Sequence, residues 1–164
     1  MKFRCEHRFQ GISLYDYERL YFDEEFNVAL CRQVNLQRTL ISRDESNGRV
    51  KRVVKVAPDR QIPAPAAKIL GASKIEYTET IEHTFGAGKA VWSTVSSIMT
   101  DKVDSRGTVA FAASGSDVVR TVEGDVTVKI TFVGGTVERF IIDDIEKSYE
   151  KASEFTRNWI ASKK

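Results

Sequence analysis

From Thr136 to about Ser162 the chain carries a pattern that one long helix satisfies. Ile141, Ile145, Ser148, Ala152, Phe155 and Trp159 recur at steps of four, three, four, three and four residues. That spacing places them on one stripe of an α-helix, widened by Ile142, Tyr149 and Ile160. Asp143, Lys147, Glu150, Lys151, Glu154 and Arg157 occupy the other face, with Asp143 and Lys147 four residues apart as an ion pair on a helix requires. Acids lead (Glu138, Asp143, Asp144) and cations close (Arg157, Lys163, Lys164), as the helix dipole prefers. Gly134-Gly135 stands just before it and marks a change from strand to helix. At about 1.5 Å per residue such a helix spans nearly 40 Å. A stripe that long must be buried against something equally long, and the rest of the chain offers only a sheet.

The 164 residues are expected to form one domain, large enough to bury a core without disulfide or metal staples. A net charge of +2 argues against nucleic acid or an anionic membrane as partner. The densest basic spot, Arg49 to Arg52, alternates with valine and reads as a strand with one solvated face. Cys5 and Cys31 are the only cysteines. Lys2, Arg4, Glu6 and Arg8 interrupt any apolar leader. No window approaches the roughly 18 apolar residues of a membrane span, and neither end carries a lipidation motif. A reducing cytoplasm with two unpaired thiols is expected, with no integral membrane association.

In chain order, Lys2 to Gln10 alternates strictly, Phe3, Cys5, His7 and Phe9 facing one way, as in a half-buried strand. Ser13 and Asp23 are placed to cap two short helices, through Tyr21 and to about Val34. Val34, Leu36, Arg38 and Leu40 form one face of a strand to about Ser42. Asn47-Gly48 is a strong hairpin signal, and Val50, Arg52, Val54 and Val56 run back. Pro58, Pro63 and Pro65 confine a loop, Ala64 to Leu70 makes a helical turn, and Gly71 closes it. Ile75, Tyr77, Glu79, Ile81, His83 and Phe85 share a face of the next strand. Gly86-Ala87-Gly88 turns into Lys89–Thr100, and Asp101 to Gly107 turns again. Thr108–Ser114 and Val118–Phe132 complete a meander, broken at Gly115 and bulged near Gly124. Hairpin-length connections impose antiparallel pairing. The expected fold is therefore α+β: a curved antiparallel sheet of about seven strands wrapped around a long C-terminal helix, with two short helices after the first strand.

This layout resembles the START-like superfamily (SRPBCC), whose architecture is also called helix-grip or Bet v 1-like. The resemblance extends over nearly the whole length through element order. It is carried by Lys2–Gln10 with its helical insert, by Ile75–Phe85 with Gly86-Ala87-Gly88, and by Glu138–Trp159. In particular the chain resembles a bacterial family of uncharacterised function. What the resemblance implies is a cavity between the concave sheet and the long helix. Relatives hold lipids, sterols, polyketides or other apolar molecules there; some are cyclases or aromatases, and others dock protein partners.

Polar side chains on otherwise apolar strand faces are the informative residues. His7, Arg38, Arg52, Glu79 and His83 each alternate into such a face, where an unpaired charge is costly. They either line a cavity and bind the polar end of an apolar ligand, or form internal ion pairs such as Glu79 with Arg38 or Arg52. Tyr77, beside Glu79, and Trp92 join the strand candidates, although both faces of the Trp92 strand are mixed. On the helix, Ile141, Ile145 and Ser148 are candidates for the cavity floor, because Ser148 and Ala152 leave space. Glu79 and His83 are about 13 Å apart along one strand at ~3.3 Å per residue, too far for a direct acid–base dyad.

Cys5, His7, Cys31 and His83 lack the spacing of a metal site, so buried structural roles are expected and no metal or cofactor is assigned. There is no Gly-x-Ser-x-Gly elbow. Gly86-Ala87-Gly88-Lys89 lacks Walker spacing. Tyr15, Tyr17, Tyr21, Phe22 and Phe26 in the insert either plug the open end of the sheet or form a gate or partner surface. The function expected is non-enzymatic binding or carriage of an apolar or amphipathic small molecule. The alternatives are a protein-interaction module with a solid core and, after it, a cyclase-like enzyme using Glu79.

Overall fold

The computed structural model describes residues 1–164. Strand β1 (Lys2–Phe9) is followed by helices α1 (Leu14–Tyr21) and α2 (Glu24–Gln33). A hairpin of β2 (Leu36–Ser46) and β3 (Arg49–Pro58) leads to the short α3 (Ala64–Leu70). Strands β4 (Tyr77–Thr84), β5 (Lys89–Ser96), β6 (Val103–Ser114) and β7 (Asp117–Val128) precede the 29-residue helix α4 (Gly134–Ser162). All pairings are antiparallel, in the order β1-β7-β6-β5-β4-β3-β2, so the first strand closes against the last.

Local chemistry sets most boundaries. The Ser13 hydroxyl accepts from Asp16 N at 3.0 Å and the Asp23 carboxylate from Phe26 N at 2.8 Å, each satisfying an otherwise orphaned helix N–H. Asn47 and Gly48 adopt φ of 52° and 74°, the left-handed pair that a two-residue hairpin requires. Gly71 closes α3 at φ 69°.

Four expectations are corrected. β6 starts at Val103, inside the stretch read as a turn, because Lys129 N donates to Lys102 O and the pairing with β7 extends that far. β7 stops at Val128, and Ile130–Val133 turns into the helix instead of extending the strand. There, Phe132 is fully exposed at φ 71°. Gly124 is not a bulge. It pairs in register with Gly107 and Phe3, and the only shift lies between Leu40 and Ser42 on the edge strand β2, where Leu40 and Ile41 turn outward. Finally, Gly134 belongs to the first turn of α4, where a Cβ would come within 2.3 Å of Val128 O.

The inner faces of β1 and of β5 to β7 bury Phe3, Phe9, Trp92, Val109, Phe111 and Val122. The insert plugs one end. Tyr17 stacks on Phe9 with ring centroids 4.8 Å apart, and Phe22 stacks on His83 at 5.1 Å. Tyr15 alone of the five insert aromatics is exposed. On α4 the deepest side chains are Val137, Ile142, Ser153, Thr156 and Ile160. Ile141, Ile145, Ser148 and Tyr149, read as stripe centre or flank, are only half-buried, because the space they face is not filled by protein. No helix is long and apolar enough to cross a membrane.

Candidate ligand cavity

Strand register arranges the inner face in rows. One row runs Arg52, Ile81, Trp92, Gly107, Gly124, Phe3 across the sheet, and the next Val54, Glu79, Thr94, Ser105, Val126. A third carries Val56, Tyr77 and Ser96. The paired glycines of the first row make a floor for the Trp92 indole, since a Cβ on either would stand 2.6–2.7 Å from its Cζ2. That close approach explains both glycines.

Between these rows and α4 lies a cavity of about 230 Å³, with 20 of its 33 lining residues hydrophobic. Ile141, Ile145 and Ser148 line it from the helix, and Leu30, Cys31 and Val34 from α2 and its end. Arg38, Arg52, Tyr77, Glu79 and Trp92 line it from the sheet. The two histidines stand outside it. His83 Nε2 is 2.8 Å from Glu18 Oε1, both side chains almost wholly buried under the insert. His7 Nε2 meets Glu150 Oε2 at 2.9 Å, and its Nδ1 is 3.0 Å from Arg120 Nη2. Donation from Arg120 assigns the Nε2–H tautomer to His7.

The polar groups of the cavity are unequally satisfied. Arg38 binds both oxygens of Glu24 at 2.7 Å, and that hydrogen-bonded pairing holds the Glu24 carboxyl below its ordinary value. Glu79 makes no hydrogen bond to protein; its nearest ion-pair atom is Arg52 Nη2 at 3.9 Å, and 25% of its side-chain surface remains accessible, opening on the cavity. Burial pushes this carboxyl above the usual range against the pull of Arg52 and Arg38. Burial likewise pushes the Tyr21, Tyr77 and Tyr149 hydroxyls up, so all three are neutral donors. Arg52 Nε, Trp92 Nε1 and Arg120 Nε are buried with no acceptor, a condition that native interiors rarely tolerate.

Arg120 is one of the cavity residues that sequence reasoning passed over. Val118 and Val122 flank it on the buried face of β7, the same signal that singles out Arg38 and Arg52. Its Nη1 donates to Tyr17 Oη at 3.3 Å and its Nη2 to Ser153 Oγ at 2.8 Å. No three His, Cys, Asp or Glu side chains come together as a metal site would need, and Cys5 and Cys31 are free thiols.

Known structures share this architecture end to end. The protein TTHA0849 from Thermus thermophilus superposes with a TM-score of 0.69 at 12% identity, over 99% of this chain and 98% of that one. The Zhui aromatase/cyclase from a Streptomyces species gives 0.59 at 10% identity, over 99% and 93%. A START superfamily protein from Mycobacterium smegmatis gives 0.57 at 8% identity, over 99% and 99%. At these identities the likeness is one of fold, and the fold is the START-like helix-grip. No curated protein matches the sequence. The family described as "Protein of unknown function (DUF2505)" matches residues 6–160, and this chain belongs to it.

Proposed function

We propose that the protein binds an apolar or amphipathic small molecule between sheet and C-terminal helix and acts by sequestration or carriage. The observation that carries this is the cavity itself: about 230 Å³ of space with mainly hydrophobic walls and three buried donors without acceptors. Ligand sites combine apolar walls with a few polar groups in this way. The volume lies just below the ~300–1,000 Å³ of drug-sized sites, which favours a compact occupant over a long-chain lipid. Arg38, Arg52, Tyr77, Glu79, Trp92, Ile141, Ile145 and Ser148 are proposed as ligand contacts. Native mass spectrometry of the purified protein, followed by extraction, tests it. A co-purifying apolar molecule is expected; a clean apo mass, with no thermal shift across an aromatic and lipid panel, would overturn the proposal.

One observation favours a second function. Glu79 presents a carboxyl with raised proton affinity and no protein hydrogen bond to the cavity, as a general acid or base needs. An aromatase/cyclase is among the proteins that share the fold. Turnover of any identified ligand that is lost in Glu79→Gln would establish catalysis, and unchanged turnover would exclude this residue.

A further inference from the structure

Four arginines line the cavity, and their counter-charges do not match them. Arg60 pairs with Asp144 at 2.6 Å, Arg38 with Glu24 at 2.7 Å, and Arg52 more loosely with Glu79 at 3.9 Å. Arg120 contacts no carboxylate. Its hydrogen-bond partners are the Tyr17 hydroxyl, the Ser153 hydroxyl and His7 Nδ1. Glu150 reaches it only through His7 and is 74% exposed, so water screens that charge. Arg157 stacks over the same Phe9 ring as Arg120 and adds a further cation on the surface side.

A guanidinium keeps its proton inside a protein, and burying it without an anion is costly. Arg120 is 3% exposed and Arg52 5%, yet each leaves Nε–H without an acceptor. Trp92, 7% exposed, leaves a third donor. All three side chains line one cavity. The Tyr21 and Tyr149 side chains line it too and supply neutral hydroxyl donors.

Resting on the small-molecule cavity proposed above, we infer that its occupant is a compact amphipathic monoanion, an apolar body ending in a carboxylate whose charge Arg120 and Arg52 receive. One unmatched positive charge fits a carboxylate better than a dianionic phosphate monoester. The apolar body lies toward Val34, Ile75, Phe140, Ile141 and Ile145, which line the same space.

Isothermal titration calorimetry with naphthalene-2-carboxylate and its neutral isostere naphthalene-2-carboxamide tests this at pH 8, where the acid is fully ionised. The wild-type protein is expected to bind the carboxylate at least tenfold more tightly. Arg120→Gln is expected to lose that preference while binding the carboxamide within twofold of wild type. Equal affinities in the wild type would overturn the anion inference and leave the apolar cavity standing. Binding of neither probe would overturn both. The wild-type comparison decides even if Arg120→Gln fails to fold, and Arg52→Gln, expected to weaken the carboxylate more than the carboxamide, provides a second variant.

Discussion

Glu79 is held where its charged form is poorly solvated, and that has a definite sign in stability. Its folded-state proton affinity lies above the ordinary carboxyl value of 4.5, so between 4.5 and the raised folded value the native state binds more protons than the unfolded chain. Native stability is therefore lost as pH rises through that window. Glu79→Gln, which stays neutral, should melt higher than wild type at pH 8, and the gap should close below pH 4.5; differential scanning calorimetry across pH measures it. At the glycine floor the sign reverses. Gly107→Ala would place a Cβ 1.9 Å from Glu123 O and 2.7 Å from Trp92, an overpacking expected to cost about 1–3 kcal/mol in urea unfolding. Glu18 and His83 form a buried hydrogen bond. Glu18→Ala should cost about 1–3 kcal/mol by leaving the imidazole unpartnered, again read by urea titration. At this scale the strand alternation of the sequence located Arg38, Arg52, Tyr77 and Glu79 on the cavity wall. The same alternation placed His7 and His83 inward but could not tell a cavity from a closed pair, because Glu150 and Glu18, which engage them, lie 143 and 65 residues away.

Helix α4 was legible because a long amphipathic period leaves few alternatives. Its start was misplaced because Gly134 is there for want of room, a Cβ coming within 2.3 Å of the Val128 carbonyl, and not as a break before the helix. The caps at Ser13 and Asp23 and the Asn47-Gly48 turn were legible because each is decided within a few residues. The extent of β6 and β7 was not, since it depends on their pairing with each other. The orientation of α4 illustrates the same limit. Its centre of burial shifts toward Ile142, Ser153, Thr156 and Ile160, and the side read as most buried is left half-open by the cavity. Filling that side is expected to separate binding from folding. Ser148→Phe should abolish carboxylate binding by calorimetry while leaving the melting temperature unchanged or higher, as cavity filling commonly does.

Across the whole molecule, the sheet bends over α4 and leaves a space bridged at one point by an ion pair. Arg60, in the loop after β3, pairs with Asp144 of α4 at 2.6 Å, and both line the cavity. Because the occupant binds only the folded state, about 100 Kd of ligand should add roughly 2.7 kcal/mol to native stability, seen as a rise in melting temperature that scales with the logarithm of concentration. The two glycines beneath Trp92 also give the protein a built-in optical gauge. They let the indole come close to the floor of the space, with its N–H lacking an acceptor. The other tryptophan, Trp159, packs among Phe26 and Phe155. A Trp159→Phe variant would therefore emit from the cavity alone, and its fluorescence would report occupancy in real time without a label.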